Sequence, residues 1–405
     1  MTRTADQWAT PPQVPQDHYV SALVYSDPDI FREEQEKIFK KVWKLACHES
    51  EVAAPGDYRT FTYAGTPLVV IRGMDKEIRC FVNACSHRSA LVARGPSGNA
   101  KTLTCFFHLW EYDTKGNCIA MTRDLGFKEV GPCKEDMGLR AVRCVTRAGL
   151  VFINLDDRAE SLDAYLGKSL ELLEDVLGTA ELEVFHYHQV EMRANWKQWH
   201  ETNMEDYHNW GHVVNRTTGM QAKGHFERKW ILYPNGHGTM EPMKIDYSRY
   251  KGWQDRQEMN LPGLKPGELR FGDLFPNTTI IVRATCIRID TSTPLGPSHT
   301  LLEYRGLGVK GEQAADRAKR VRDHNQFWGP FGRNLVEDVV FVEAVEECNR
   351  DGAAKYSVMS RREDMRAQDD ALLRHFHGEW SRRMGRPASN PLNQMAPIGE
   401  MRAAE

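Results

Sequence analysis

The sequence predicts an α+β protein built from two parts. An all-β module is predicted over residues 40–155, and a larger region of helices on an antiparallel sheet over residues 1–39 and 156–405. Short strands broken by Gly and Pro fill the first part, helical spacing of apolar residues recurs in the second, and Cys and His pairs lie close together in the first. With 405 residues and 41% hydrophobic content, each part can bury a core.

The pattern of apolar residues predicts the elements in chain order. A Pro-rich arm opens the chain, and helical spacing follows near residues 29–42. The further predictions are strands at 67–72, 79–83 and 150–154, a helix at 162–177, a strand at 183–191, a helix from Trp196, strands within 278–309, helices within 312–350 and an extended tail after 385. Strands and helices grouped in this way are typical of the α+β class.

Composition excludes several classes of protein. A net charge of -3 indicates neither nucleic acid nor an acidic membrane surface as a partner. The sequence shows no run of eighteen apolar residues and no signal peptide, so we expect a cytoplasmic protein. Nine cysteines at irregular spacing in that compartment are expected to be thiols, not a disulfide framework.

Four residues of the all-β module have the spacing of metal ligands. One residue separates Cys85 from His87, two separate Cys105 from His108, and seventeen lie between the pairs. Two thiolates and two imidazoles fit either tetrahedral zinc or a Rieske cluster, in which two histidines bind the outer iron. Aromatic residues throughout the stretch 106–112 favour iron, because burial tunes the potential of a redox cluster.

Residues 40–155 resemble the Rieske domain of the ring-hydroxylating oxygenases. The matching features are Cys85-Ser86-His87-Arg88, the second pair, and Trp110 and Tyr112 before the turn at 113–116. The resemblance extends more thinly over nearly the whole chain. Family members commonly have Gly after the second histidine, where this chain has Leu109. The resemblance implies a [2Fe-2S] cluster held by the four ligands.

A second group of candidate ligands follows Trp196. On a continuous helix, Glu205, His208 and His212 fall at i, i+3 and i+7 and therefore on one face. Two histidines and one carboxylate form a triad that leaves positions open on a non-heme iron(II). We predict the carboxylate to be Asp338, which lies on an apolar stripe with Leu335, Val342 and Val345. The alternative is a first-turn acid that only stabilises the helix start.

The resemblance implies roles for these residues. In the family the third ligand comes from a Glu-Asp-Val segment, which makes Asp338 the matching residue and Glu337 the alternative. An acidic residue at the position of Glu205 bridges the mononuclear-site histidine to a Rieske histidine of the adjacent subunit. The resemblance also implies trimers of large subunits, in some members with three small subunits (α3β3), and a separate NAD(P)H-dependent reductase or ferredoxin.

Two further features bear on ligands. Arg283 is predicted to share an apolar strand face with Ile281 and Ile287, which indicates either an anion-binding group in a pocket or an edge-strand arginine. The string Gly306 to Gly311 matches a dinucleotide fingerprint, but a charged helix follows it and no second strand does. We therefore predict that electrons come from a separate protein.

The resemblance leads us to expect the large subunit of a Rieske oxygenase that holds iron(II) as a cofactor and reacts dioxygen with a small substrate. Segments 56–60 and 133–135 look most like subunits that act on aromatic acids, and relatives also hydroxylate alkyl sulfonates and quaternary amines. Two other classes stay open, a non-catalytic electron carrier and a zinc-stabilised binding protein. Neither needs His208, His212 and Asp338 together.

Overall fold

A computed structural model describes residues 2–127, 131–205, 207–213, 215, 223–245, 259–361, 364, 366 and 369–395. The chain divides into two compact units, Phe39–Leu162 and the combination of Met1–Ile38 with Asp163–Glu405. Within these described ranges, none of the helices combines the length and the apolar character that crossing a membrane requires.

The described strands are β1 Tyr19–Ser21, β2 Lys44–His48, β3 Asp57–Tyr63, β4 Thr66–Arg72, β5 Ile78–Val82, β6 Ser97–Asn99, β7 Thr102–Thr104, β8 Glu111–Asp113, β9 Cys118–Ala120, β10 Ala141–Arg147, β11 Leu150–Asn154, β12 Leu182–Met192, β13 Trp230–Tyr233, β14 His237–Lys244, β15 Glu268–Leu274, β16 Thr278–Arg283, β17 Cys286–Gly296, β18 His299–Val309 and β19 Tyr356–Val358. The described helices are α1 Ala5–Ala9, α2 Leu23–Ser26, α3 Pro28–Glu34, α4 Leu162–Leu166, α5 Glu171–Thr179, α6 Trp196–Met204, α7 Lys223–Phe226, α8 Ala314–Trp328, α9 Arg333–Arg350 and α10 Ala371–Met384.

The smaller unit is all-β, as predicted. Its main sheet has the order β2-β11-β10-β5-β4-β3-β6, and a separate small sheet has the order β7-β8-β9. Two-residue turns, Ala64-Gly65 and Ala148-Gly149, join β3 to β4 and β10 to β11, and all four residues have positive φ. Such turns match the twist of the strands they connect. The small sheet carries the second Cys and His pair.

The larger unit combines helices with one antiparallel sheet of order β12-β18-β17-β16-β15-β14-β13, which confirms the predicted α+β class. Several boundaries differ from the predictions. The helix expected at 29–42 is α3 followed by a π-helical turn over Gln35–Phe39, and the helix expected at 162–177 is interrupted at Gly167, where φ is 52°. A positive φ ends an α-helix locally.

A buried ion pair fastens the N-terminal segment to this unit. The Lys197 ammonium lies 2.6 Å from the Glu34 carboxylate, and neither side chain is exposed. The indoles of Trp196 and Trp380 donate to the same carboxylate over 2.8 and 2.7 Å. Because a buried charge is costly without partners, these bonds fix α3 against α6 and α10.

The glycines that resemble a dinucleotide fingerprint have a packing role. A Cβ on Gly306 would lie 2.9 Å from the His324 ring, and one on Gly308 would lie 2.4 Å from Cδ of Arg320. Both glycines belong to β18, and α8 crosses over them. The glycines therefore let α8 approach β18 closely. This packing role explains the string of glycines without a nucleotide site.

We expect acid to destabilise the protein partly through His237. Its Nε2–H donates to the carbonyl of Tyr165, and its Nδ1 accepts from the backbone N–H of Phe275. Burial lowers the pKa of His237 to about 4, compared with about 6.5 in an unfolded chain. The unfolded chain takes up this proton first, so stability present above pH 6.5 is lost as the pH falls towards 4.

The expected loss from His237 is about 2–3 kcal/mol between pH 7 and pH 4.5. Chemical denaturation at both pH values measures it, with His237→Asn as the comparison. The difference between the two pH values should shrink by this amount in the variant. An unchanged difference would show that other groups cause the acid sensitivity.

Candidate metal centres and pocket

Two similar loops present the Cys and His pairs of the smaller unit. The Cys85 N–H donates to the carbonyl of Ala90, and the Cys105 N–H donates to that of Trp110, each over 2.8 Å. Ser89 and Leu109 both have a φ of 59°, so each loop turns through one left-handed residue. This conformation explains why Gly is common at the position of Leu109, and it shows that Leu at this place keeps the turn.

The two histidines meet at one end of these loops, and both cysteines belong to one buried cluster. Cys85 and Cys105 are buried, and the rings of His87 and His108 lie 4.5 Å apart between centroids. His87 stacks on Trp110 at 4.7 Å, and its Nδ1 is buried with no hydrogen-bond partner among the described residues. A buried imidazole nitrogen without a partner fits a metal ligand.

The aromatic shell is only partly the predicted one. Trp110 and Tyr112 are buried, and Phe127 packs at right angles on both His87 and Trp110. Phe106 and Phe107 are more than half exposed, so the expectation that they enclose the second pair was wrong. Both lie between the candidate ligands Cys105 and His108, on a tight loop that leaves them exposed.

Tyr112 is expected to tune the cluster. Its hydroxyl lies 3.1 Å from Cys85 Sγ and accepts from the Ser86 N–H, which leaves the hydroxyl proton for the sulfur. A hydrogen bond to a ligand sulfur stabilises the reduced, more negative cluster. Tyr112→Phe should lower the midpoint potential by roughly 40–90 mV, the one-electron equivalent of a bond of about 1–2 kcal/mol. Protein-film voltammetry measures this shift, and an unchanged potential would contradict the assigned bond.

In the larger unit, buried polar contacts fix α6 on the sheet. The Trp199 indole donates to Asp290, and His200 lies between Asp273 (3.3 Å) and Ser292 (3.0 Å). His200 thus has two buried partners. Although the Asp-His-Ser order resembles a hydrolase triad, all three side chains are inaccessible. Their role is to hold the helix from which the second candidate centre follows.

The second candidate centre begins where α6 ends. Glu205 has an extended backbone (φ -117°, ψ 130°), and His208–Trp210 form a 3-10 turn. The continuous helix predicted through Glu205, His208 and His212 is therefore wrong. The Glu205 carboxylate accepts from the N–H groups of Tyr207 and His208 (3.2 and 3.1 Å), which starts a new turn instead of extending α6. Asp206 lies outside the described residues.

The break still brings the three predicted ligands together. Candidate ligand atoms of His208, His212 and Asp338 all lie within 4.8 Å of one another. Asp338 Oδ1 is 3.4 Å from Nε2 of His208 and 3.0 Å from Nε2 of His212. This oxygen is buried and has no hydrogen-bond partner in the described part of the chain. Two imidazole nitrogens and a carboxylate oxygen thus point at one place.

Two outer carboxylates orient the histidines. Glu205 Oε1 lies 2.6 Å from His208 Nδ1, and Glu337 Oε2 lies 2.6 Å from His212 Nδ1. Because each Nδ1–H donates outward, each Nε2 keeps its lone pair for the centre. Glu337, the alternative third ligand, therefore contacts the far side of His212.

The charge of the centre also fits a cation. Three carboxylates surround two imidazoles. Although burial lowers the pKa of His208, Glu205 and Asp338 raise it well above its ordinary value. Burial raises the pKa of Asp338, but His208 and His212 lower it to about 2. Without a metal the imidazoles attract protons, so the donor set favours bound positive charge.

Helix α9 places Asp338 on its buried face. The helix begins at Arg333, so Asp338 lies past the first turn and the alternative of a helix-start acid does not apply. Leu335 and Val342 are buried beside it as predicted, but Val345 is 48% exposed and Glu346 is buried instead. The buried residues therefore follow the helical repeat of 3.6 residues more closely than the predicted stripe, which ended at Val345, does.

Arg283 lies in the pocket, but for a different reason from the one predicted. The strand expected over 279–290 is the hairpin of β16 and β17, in which Arg283 pairs with Cys286 and Ile281 with Arg288. Ile287 pairs with Val282 and lies on the opposite face. The turn therefore places Arg283 and Arg288 on one face, where both line a cavity with His208, His212 and Asp338.

The cavity encloses about 680 Å³ of empty space, including space open to solvent. Met240, Phe271, Ile281 and Arg288 lie side by side across four neighbouring strands and form its floor. The Arg283 guanidinium carbon lies 3.3 Å from the ring centroid of Phe327. Arg228 and Arg288 also line the cavity, and sequence reasoning missed both. The hairpin register is the signal that could have revealed Arg288.

Comparisons with known proteins agree with both centres. Residues 42–127 match the Rieske [2Fe-2S] domain, and residues 179–386 match the ring hydroxylating alpha subunit (catalytic domain). The chain is 46% identical over 394 residues to the 2-aminobenzenesulfonate 2,3-dioxygenase subunit alpha of Alcaligenes sp., covering 96% of this chain and 99% of the relative. It is 39% identical over 401 residues to the methanesulfonate monooxygenase hydroxylase subunit alpha of Methylosulfonomonas methylovora, covering 96% of each.

A solved quaternary ammonium Rieske monooxygenase has the same fold, with a TM-score of 0.76 at 22% identity over 92% of this chain and 100% of that one. The two matched domains imply a [2Fe-2S] cluster and a mononuclear iron. The chain therefore belongs to the family of Rieske ring-hydroxylating oxygenase alpha subunits.

Proposed function

We propose that this oxygenase subunit hydroxylates a small organic sulfonate, with an aromatic sulfonate as the first candidate. The observation that carries the proposal is the convergence of His208, His212 and Asp338 at a cavity whose wall contains arginines. In this proposal Cys85, His87, Cys105 and His108 hold the cluster. His208, His212 and Asp338 hold the iron.

When bound, the iron supplies activation of dioxygen with electrons that arrive through the cluster. The chain contributes orientation and binding. Glu205 and Glu337 keep the Nδ1 protons of the two histidines, so that each Nε2 faces the centre. Arg283 binds the anionic end of the substrate, whereas Arg288 is paired with Asp290 at 2.6 Å, and the apolar body of the substrate lies along the floor.

The pocket and the relatives support an anionic substrate. The two relatives named above are described as acting on 2-aminobenzenesulfonate and methanesulfonate. An aromatic carboxylic acid, the class expected from the sequence, has the same charge and is a second candidate. A quaternary amine is disfavoured because Arg228 and Arg283 line the cavity and would repel a cation, whereas Asp290 offsets the charge of Arg288 at 2.6 Å. Phe271 and Trp328 also line the cavity, and aromatic side chains favour contact with an aromatic body.

We further propose that copies of the chain associate head to tail, as the family resemblance implies. The tip formed by Leu91, Phe106, Phe107 and Leu109 is exposed next to His108, and residues 86–110 include no acidic residue. Near the candidate iron site, the exposed face of α9 combines apolar and acidic residues. The exposed residues are Val336, Val340, Val345 and Glu347, and the half-buried Glu343 lies among them.

The two surfaces are complementary in charge and polarity, which suits association of one copy with the next. This arrangement supports a homotrimer, with or without small subunits. Since Gly306 and Gly308 serve helix packing, we propose that a separate reductase or ferredoxin supplies the electrons.

Metal analysis and oxygen uptake test the function. The purified chain should contain about three irons and two sulfides, the content of one cluster and one mononuclear iron. With a surrogate reductase, an aromatic sulfonate should stimulate oxygen uptake and give a hydroxylated product. Two irons would indicate an electron carrier, and a colourless zinc protein would indicate a binding protein. Uptake only with a quaternary amine would overturn the proposed substrate.

Arg283→Leu should weaken binding of the sulfonate more than binding of the neutral sulfonamide. Only the anion gains a charge-assisted bond, worth about 1.5–3 kcal/mol, so KM for the sulfonate should rise roughly 10- to 100-fold. Arg283→Lys keeps the charge and serves as the control. Initial rates with both compounds measure the effect, and equal losses would place Arg283 outside the substrate contact.

A further inference from the structure

The turn that carries His208 is attached to the rest of the unit through Tyr207. The Tyr207 hydroxyl lies 3.1 Å from Asp370 Oδ2, and the Tyr207 N–H donates to the Glu205 carboxylate. The same carboxylate holds His208 at both its N–H and its Nδ1. Tyr207 thus connects Glu205, which orients His208, with Asp370.

Asp370 has an unusual arrangement for its position. It is the N-cap of α10, where an Asp side chain ordinarily accepts from the first N–H groups of its own helix. The Asp370 side chain makes no such capping bond. It accepts instead from the Ser360 N–H (2.6 Å) and from the Tyr207 hydroxyl. A bond worth about 1 kcal/mol to the helix is given up for contacts with two other segments.

Bonds to neighbouring segments hold the start of α10 in place around Asp370. Asp370 is buried, and the neighbouring Asp369 forms an ion pair with Arg374 at 2.6 Å. The Asp369 carbonyl accepts from the indole of Trp230, which lines the pocket. The start of α10 is therefore bonded both to Trp230 of the pocket lining and, through Tyr207, to the His208 turn.

We propose that Asp370, acting through the Tyr207 hydroxyl, is a positioning residue for the Glu205-His208 turn. The inference rests on the proposed role of His208 as a metal ligand. The geometry of the turn depends on this bond because α6 ends at Met204 and no helix continues through His208. Without the bond, Tyr207 is no longer held in place. The Glu205 carboxylate, and the His208 ring that it orients, are then free to move. Partners that orient a ligand are worth 10- to 100-fold in metal affinity.

Cobalt binding tests the proposal without turnover. The cluster-loaded chain is depleted of mononuclear iron, and Co²⁺ is titrated while its visible absorption is recorded. Tyr207→Phe removes only the hydroxyl and should weaken Co²⁺ binding about tenfold, with a changed absorption band. Asp370→Asn keeps an oxygen that can accept from Tyr207 and should retain most of the affinity.

Tyr187→Phe is the matched control, because it also deletes a tyrosine hydroxyl bonded to a carboxylate, that of Glu303 at 2.7 Å. It should lose comparable thermal stability while binding Co²⁺ like the wild type. Wild-type affinity in Tyr207→Phe, or equal weakening in Tyr187→Phe, would overturn the positioning role alone. Failure of the wild type to bind Co²⁺ at a site sensitive to His208→Ala would overturn the proposed function together with it.

Discussion

Replacing Asp338 with Ala is expected to abolish product formation while the visible absorption of the Rieske cluster stays unchanged. Among the described residues, Asp338 places a carboxylate oxygen next to both Nε2 atoms, at 3.4 and 3.0 Å. Its loss removes the anionic ligand and leaves two imidazoles to hold a divalent ion. The fall in turnover should be on the order of a thousandfold or more, since even an outer-shell partner is worth 10- to 100-fold.

Glu337→Gln is the control for this prediction. Glu337 precedes Asp338 on α9 but contacts the Nδ1 side of His212, so the variant should weaken iron binding without removing it. Iron content, absorption spectra and product yield are measured on all three proteins. Product formation by Asp338→Ala at the wild-type level would exclude Asp338 as the ligand and make Glu337 the candidate.

Glu205→Gln should slow reoxidation of the reduced cluster by orders of magnitude while both metal centres are retained. Glu205 bonds to His208 Nδ1 at 2.6 Å, and we expect from the family resemblance that it bridges to a Rieske histidine of an adjacent copy. The amide keeps the size of the side chain but loses its charge. The amide also has only one accepting oxygen. It therefore cannot accept both from the backbone N–H groups and from the Nδ1–H that the carboxylate now binds.

Single-turnover stopped-flow measures this step directly. The cluster is reduced, excess reductant is removed, and the protein is mixed with substrate and dioxygen. Iron content and oligomeric state are checked in parallel, so that a slow rate is not a consequence of lost metal or dissociation. A wild-type rate in a fully iron-loaded Glu205→Gln protein of unchanged oligomeric state would exclude Glu205 from the transfer route.

The chemistry could be predicted from sequence where short spacing fixes geometry. Cys85 and His87, or Cys105 and His108, must share a loop because one or two residues separate them. His208 and His212 are also close in the chain, so the wrong assumption of a helix did not separate them. The 3-10 turn brings the same two rings together, with centroids 5.1 Å apart.

Prediction failed where position depends on a turn or on side-chain competition. The sequence of β16 and β17 reads as one strand because Ala284 and Thr285 are not typical turn residues, and Ala284 has a φ of 24°. The end of α6 was missed because Glu205 is an ordinary helix residue by propensity. Its carboxylate ends the helix by bonding to the following N–H groups, a contact that no pattern of apolar residues reports.

The two-residue turn between β16 and β17 has a consequence for comparing this protein with its relatives. Side chains alternate between the faces of a strand, so adding or removing one residue in the turn would move Arg288 to the opposite face while leaving Arg283 in place. The number of cationic groups facing the substrate is then set by loop length and not only by residue identity. Two relatives with identical strand sequences could differ in the anions they accept, and insertions at this turn offer a route to altered selectivity that preserves every side chain of the iron site.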